Sequence, residues 1–406
     1  MKEYLKEHFD LTLFCSVCLL TVIGLISIYS STYSIGLIET FKKQIIWVAI
    51  GFLVLPICVV IPIKYVELFA YPIYGISIIV LATMPFVGQT VYGSTSWINF
   101  GFFKIQPSEF VKVTTVIALA YFLSDRNVYI ENFKYLMLSF LIVFVPFCLI
   151  MLQPDLGTAT IYMFMYFLMV FWSGTKLVYV YTVIAFFLAI LTTLIGTWAL
   201  IALLVVSALI LIYLKQNLSI VFVFSGFLLA VGFSFDYFYK TLALYQQKRI
   251  LSFLDPDFDP LGAGYNAIQA KVAIGSGGLF GKGFMQGTQT QLKFIPKQWT
   301  DFIFCVTGEE FGFIGAIIVL TLLFLVLFRG IRISKTIKSD FASIVTMGFV
   351  AILFYQTIIN LGMSMNILPV MGIPLPFLSS GGSSFVTSML MVGLMLNFYS
   401  HRKDYY

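Results

Sequence analysis

The chain has 406 residues, of which 60% are hydrophobic, 17% aromatic and only 10% charged. Soluble domains carry about a quarter of their residues as charge, so this composition excludes them and implies a polytopic membrane protein. The formal charge of +6 does not call for nucleic acid as a partner, because the basic residues are scattered over short loops between apolar runs, where membrane topology accounts for them.

Met1–Asp10 is charged, and the run that follows, from Leu11 to about Ser30, is too long for a cleaved signal peptide and lacks its small-residue exit. It is expected to be a retained first span. Apolar runs recur near 11–30, 44–63, 68–87, 108–123, 135–152, 158–173, 177–195, 197–214, 218–237, 302–328, 342–362 and 376–398, each about long enough for a crossing helix of roughly 17–25 residues. About twelve spans in one all-α membrane domain over residues 1–406 are therefore expected. The division is least marked over 177–237, where the breaks at Gly196 and Lys215 are slight.

With a cytoplasmic N-terminus, the inside loops hold Lys64, Arg126, Lys134, Lys176, Lys215, Arg329, Arg332, Lys335 and Lys338, and the tail holds Arg402 and Lys403. That bias fits the positive-inside rule. It places both termini inside and a large loop, about 240–300, outside. The loop nevertheless keeps Lys248, Arg249, Lys271, Lys282, Lys293 and Lys297. Long loops escape the rule, so their charge points to another cause, such as an anionic ligand.

Three short segments at membrane depth do not read as ordinary helix: Gly93–Pro107, with Pro107 at an expected first helical position, Gln153–Gly157, and Pro369–Ser384. Irregular backbone at this depth is tolerated only inside protein or along a wet cavity. A cavity opening outward is inferred. The only histidines, His8 and His401, lie at the chain ends, which removes a Ser-His-Asp triad and a His-ligated zinc from the membrane interior. Cys15, Cys18, Cys58, Cys148 and Cys305 all sit in apolar stretches and are expected to pack as free thiols.

Asp301 opens an apolar run at W-T-D-F-I-F. An acid there is costly unless it faces a cavity or partner, and a helix-capping role is an equally good account. On one continuous helix, Cys305, Gly308, Gly312 and Gly315 fall within about 40° of it, an approachable face of small side chains. Glu310 points roughly opposite, and Glu309 and Glu310 are expected to be paired structurally, with a proton relay as the alternative. Glu109 and Lys112 sit at i and i+3; Lys112 is expected to pair with Glu109 or with Asp301. Tyr265, Ile268 and Val272 mark one face of a short amphipathic helix. The following G-S-G-G-L-F-G misses both the dinucleotide and Walker patterns, but would let backbone and Lys282 approach a phosphate.

Taken together, G-F-F-K-I-Q-P-S-E-F-V-K (101–112), Q-P-D-L-G-T-A (153–159), the long run 254–283, G-T-Q-T-Q-L (287–292), T-D-F-I-F (300–304), G-E-E-F-G (308–312) and P-L-P-F-L-S-S-G-G-S-S (374–384) resemble the SEDS family (shape, elongation, division and sporulation). The likeness is nearer its rod-shape branch than its division branch. The resemblance implies a SEDS-type helical bundle and a peptidoglycan glycosyltransferase that polymerises lipid II on the outer face of the bacterial cytoplasmic membrane. It also implies a class B penicillin-binding protein and other elongation-complex membrane proteins as partners, and a divalent cation (Mg or Mn) as a cofactor. The family's catalytic acid falls on Asp301, which would deprotonate the acceptor hydroxyl. Arg249, Lys271 or Lys282 would then meet the diphosphate charge, Lys112 would hold Asp301 ionised, and Trp97 would stack on a sugar or anchor the interface.

Three departures stand out. The family usually has ten spans, which places an extra pair within 177–237, and Ser96 and Ser380 stand where Arg and Tyr are usual. A flippase for the same lipid, a non-catalytic scaffold and a division paralogue are the competing functions.

Overall fold

The computed structural model describes residues 9–33, 36–91, 94–101, 103–125, 128, 132–174, 181, 185, 188–189, 192–193, 196–241, 247, 263–292 and 294–402. The helices are α1 (Leu11–Tyr33), α2 (Ile38–Val60), α3 (Ile63–Leu68), α4 (Ala70–Val87), α5 (Pro107–Leu123), α6 (Phe133–Met151), α7 (Leu156–Trp172), α8 (Thr197–Tyr213), α9 (Leu218–Thr241), α10 (Ala263–Ser276), α11 (Thr288–Gln291), α12 (Ile303–Thr336), α13 (Asp340–Ser364) and α14 (Gly382–Ser400). Among the described residues, seven helices are long and apolar enough to cross a membrane. Every expected run coincides with a helix except that near 177–195, most of which lies outside the described residues. The protein is an all-helical polytopic membrane protein.

The chain forms two compact units, Val170–Lys248 and the remainder. In the smaller, Gly196 (φ 145°) and Lys215 (φ 56°) break the helices where the sequence suggested. There Leu200, Leu203 and Leu211 of α8 share a core with Val221, Phe224 and Leu228 of α9.

At one end of the larger unit, the buried Asp10 carboxylate accepts from Leu13 N (2.9 Å) and Arg329 Nε (2.8 Å). Nearby chain ends are closed by Asn397, whose amide donates to the Cys58 and Val59 carbonyls at the end of α2. The other end carries all three irregular segments. The first is partly a three-stranded antiparallel sheet, with β1 (Gln89–Val91), β2 (Ser94–Asn99) and β3 (Lys104–Ile105) in that order. Its Thr95 N–H donates to Gln153 O (3.3 Å), joining it to the second segment. The third, residues 365–381, runs through the interior, with Ile373, Leu375, Phe377 and Leu378 buried. Gly24 of α1 and Gly157 of α7 make room for it, since a Cβ at either would strike its backbone.

The decisive departure from the expected fold is in α12. Thr307 lies beside Ser27 of α1 (3.2 Å between hydroxyls), and Glu310 beside Ser30. Between these contacts both chains advance in the same sense. Yet Arg329 reaches Asp10 at the start of α1, so the later part of α12 runs against it. The reversal is at Gly312, whose φ 65° and ψ −159° are non-helical and belong to a region essentially restricted to glycine. A Cβ at Gly315 would lie 3.7 Å from the Thr307 carbonyl oxygen, whereas eight residues of continuous helix advance about 12 Å. Residues 303–311 therefore form a limb folded back into the bundle, and 313–336 form the span proper. The continuous wheel drawn from Asp301 to Gly315 does not apply.

Such a fold-back strands backbone groups at membrane depth, where each costs several kcal/mol if unsatisfied. The segment after α10 supplies the partners. Lys282 N–H and Gly283 N–H donate to the carbonyls of Glu309 and Glu310 (both 3.0 Å), and Phe313 N–H and Ile314 N–H donate to the carbonyls of Gly278 (2.9 Å) and Leu279 (3.2 Å). Gly277, Gly281 and Gly312 permit this approach, because a Cβ at any of them would enter the opposing backbone. The expected phosphate-binding turn is thus a structural splice, its Lys282 and Gly283 N–H groups directed to helix carbonyls.

Side chains reinforce the splice. The fully buried Glu309 carboxylate accepts from Lys282 Nζ (2.8 Å), Gln289 N (2.9 Å) and Thr290 N (2.9 Å). Lys282 Nζ also donates to Thr288 Oγ1 (2.7 Å). Glu309 is therefore ion-paired, as expected, whereas Glu310 accepts from the Ser30 hydroxyl and Gln291 Nε2 (3.3 Å).

Two outcomes test this account by thermal unfolding in detergent. Gly312→Ala should destabilise by at least about 1–3 kcal/mol from backbone strain alone, whereas Gly275→Ala, at a helical glycine with nothing within 4 Å of its Cβ position, should be neutral or stabilise by up to about 1 kcal/mol. Lys282→Met should destabilise by up to about 3 kcal/mol, less than a fully buried pair because its side chain is 26% exposed. Adding Glu309→Gln should recover part of that loss.

Candidate active site

Asp301 sits in a turn immediately before the folded-back limb, with Phe302 as N-cap and Ile303 as the first helical residue. It is half-buried, whereas Phe302 to Glu310 are buried without interruption. Its backbone carbonyl accepts from Asn360 Nδ2 at 2.8 Å. Asn360 is four residues, about 6 Å along the axis, short of the end of α13. The Asp301 backbone is thereby set below the end of α13 rather than at the surface.

Two walls of this position are defined. Ser380 N–H donates to Trp299 O (2.9 Å), two residues before Asp301, and Gly381 N–H donates to Gln44 Oε1 (3.2 Å). Ser380 thus contributes its backbone here, whatever its side chain does. On another side, α10 packs Ala270 and Ala273 against Phe302 and Cys305. The buried face of α10 is this alanine face; Ile268 and Val272, expected on the interfacial face, are exposed (37% and 45%). Lys271, next to Ala270, is exposed on the same helix. Arg249 lies outside the described residues.

Lys112 and Glu109 are paired with each other at 2.8 Å, with side chains 1% and 5% exposed. The neighbouring Asp155 accepts from Gln106 Nε2 (2.9 Å) and from Thr158 N (3.1 Å) and Oγ1 (2.9 Å). Burial pushes the Asp155 carboxyl up from its ordinary value, against the Thr158 bonds that pull it down. Gln106 N–H in turn donates to Ser383 Oγ (3.0 Å), which joins this polar cluster to the segment containing Ser380. Trp97 is half-buried on β2 opposite Gln89. Ser96, on the other face of the strand, is buried and bonded to Ser94 (2.7 Å).

Among the described residues, no three His, Cys, Asp or Glu side chains gather to hold a metal ion. Near Asp301 the described side chains form no such cluster, and no chemical step is assigned to a cation. Sequence reasoning passed over Asn360 and the Glu309–Lys282 bond. Asn360 had a visible signal, since Gln356, Asn360 and Ser364 recur every four residues in an otherwise apolar run.

A family profile described as a cell cycle protein, covering FtsW, RodA and SpoVE, matches residues 10–201 and 178–404. Peptidoglycan glycosyltransferase MrdB of Escherichia coli is 33% identical over 98% of this chain and 95% of its own length. Stage V sporulation protein E of Bacillus subtilis is 34% identical over 97% of each chain. Among solved structures, a chain of a peptidoglycan synthase complex that coordinates polymerization and crosslinking superposes with a TM-score of 0.73 at 26% identity, over 98% of this chain and 99% of that one. The rod shape determining protein RodA of Thermus thermophilus, at 23% identity and a TM-score of 0.65 over 98% of each chain, shares the fold. The chain belongs to the FtsW/RodA/SpoVE family.

Proposed function

We propose that this protein is a peptidoglycan glycosyltransferase that polymerises lipid II into glycan strands during cell elongation, with Asp301 as general base. The observation that carries the reading is the placement of Asp301, a half-buried carboxylate at the inner end of a limb fixed on several sides. The relative from E. coli, named a peptidoglycan glycosyltransferase, supports the reaction class. The G-T-Q-T-Q-L run (287–292) supports the rod-shape branch over the division branch.

In this mechanism Asp301 takes the proton of an acceptor sugar hydroxyl as its oxygen bonds to the donor's anomeric carbon. The bond from that carbon to the lipid diphosphate breaks, and the diphosphate leaves with the electron pair. Its charge is met by the loop cations Lys271 and Arg249. Lys282 is omitted from this set because Glu309 and Thr288 occupy its ammonium. Charge bias supports a cytoplasmic side for the termini and the Asp10–Arg329 end, and with it an outer-leaflet side for Asp301. A lipid-anchored diphosphate-sugar presents its reacting bond at that depth. A class B penicillin-binding protein is the proposed partner, supported by the likeness to a chain of a synthase complex.

Asp301→Asn should lower the rate of glycan polymer formation from lipid II by about 10²–10⁴-fold, in purified protein assembled with its partner. A parental rate in that variant would overturn the assignment, and lipid II crossing vesicles without polymer would favour a flippase. The Glu109–Lys112 pair gives a second test. If it only neutralises charge, Lys112→Met should lose folded yield while Lys112→Met with Glu109→Gln recovers both yield and polymerisation. If Lys112 acts on substrate, the double variant should fold and remain inactive.

A further inference from the structure

We propose that Asn360 is the positioning residue for Asp301, an inference that rests on Asp301 being the base. Asn360 is fully buried in α13. Its amide nitrogen donates to two backbone carbonyls, that of Asp301 and that of Ile373, both at 2.8 Å. A primary amide has two donor hydrogens, so both are engaged. The two carbonyls belong to segments far apart in sequence: the turn before the folded-back limb, and the buried irregular segment that ends at Gly381.

The Asp301 carbonyl lies outside the helical ladder, since the bond at the start of the limb runs from Cys305 N to Phe302 O. Helix formation therefore does not fix the orientation of the peptide between Asp301 and Phe302. The Asn360 bond does, and the second bond to Ile373 ties that peptide to the wall that carries Ser380 and Gly381. No other side chain of similar size offers two donors on one atom at this reach. Asp lacks the donors, Leu lacks polarity, and Gln is longer by one methylene.

Productive catalytic geometry tolerates about 0.5 Å and 10–20°, and a displacement of 1 Å costs about 10²-fold in rate. Loss of the Asn360 bonds would release the Asp301 peptide on that scale while leaving the groups that bind lipid-linked substrate in place. The signature of a positioning role is a fall in kcat without a matching rise in KM.

The experiment compares Asn360→Leu with the parent, as full-length protein assembled with its partner, in lipid II polymerisation kinetics. The expected result is a 10–100-fold lower kcat, a KM for lipid II within about threefold, and intact assembly. If the Leu variant fails to assemble, Asn360→Ser, which keeps one donor and creates no bulk, is read the same way. The substitution is also placed on Asp301→Asn. A residual rate there that does not fall further is expected if Asn360 works through Asp301, and where that rate is below detection the kcat against KM comparison decides. A parental kcat, a loss confined to KM, or an equal loss in both backgrounds would overturn the proposal. A parental rate in Asp301→Asn alone would instead overturn the base assignment.

Discussion

The structure depends on four backbone hydrogen bonds across the Gly312 reversal. A chain that turns back inside a membrane leaves carbonyls at the end of one limb and N–H groups at the start of the next, with no water to accept them. Residues 278–283 meet both sets at once. The described stretch 263–292 is consequently part of the bundle wall rather than a surface loop. It could not swing away without stranding the groups it satisfies, and Asp301 owes its depth to this arrangement.

The same desolvation logic governs the charges. Burying a lone ion costs far more than burying a paired one, and three buried acids of the larger unit have a close cation, Glu109 with Lys112, Glu309 with Lys282 and Asp10 with Arg329, while Glu310 is met by Ser30 and Gln291. The first pair lies within α5, whereas the other two join segments far apart in the chain. Asp301 differs from them in being half-buried, and so retains the solvent or substrate access that a proton acceptor needs.

Much of this was legible in the sequence, and the failures have one cause. Hydropathy gave the helices, and Pro107, Gly196 and Lys215 their boundaries, because length and backbone chemistry are local. Direction is not local. The run 302–328 is apolar on both sides of Gly312, so nothing in its hydropathy separates a span from a limb folded beside it. In the sequence the glycines at 277, 281 and 312 suggest access for a ligand, whereas their smallness serves the approach of one backbone to another. The pairing of Lys282 is hidden for the same reason, since its partner Glu309 is 27 residues away. Arg249 falls outside the described residues, so its expected role has no structural counterpart.

The way the site is held also separates the competing functions. A transporter must alternate access, which needs one part of the bundle to rock against another around the bound ligand. Here the limb beginning at Asp301 is tied to α1 through Ser27 and Ser30, to α13 through Asn360, to the buried segment through Trp299 and Ser380, and to the splice through Glu309 and Glu310. Moving any one of these elements would break bonds in a medium that offers no replacement. Catalysis gains from that fixity, because a base that need not reorganise contributes its full effect when the transition state forms. A limb held from four directions presents Asp301 for chemistry at one geometry, with motion left to the substrate.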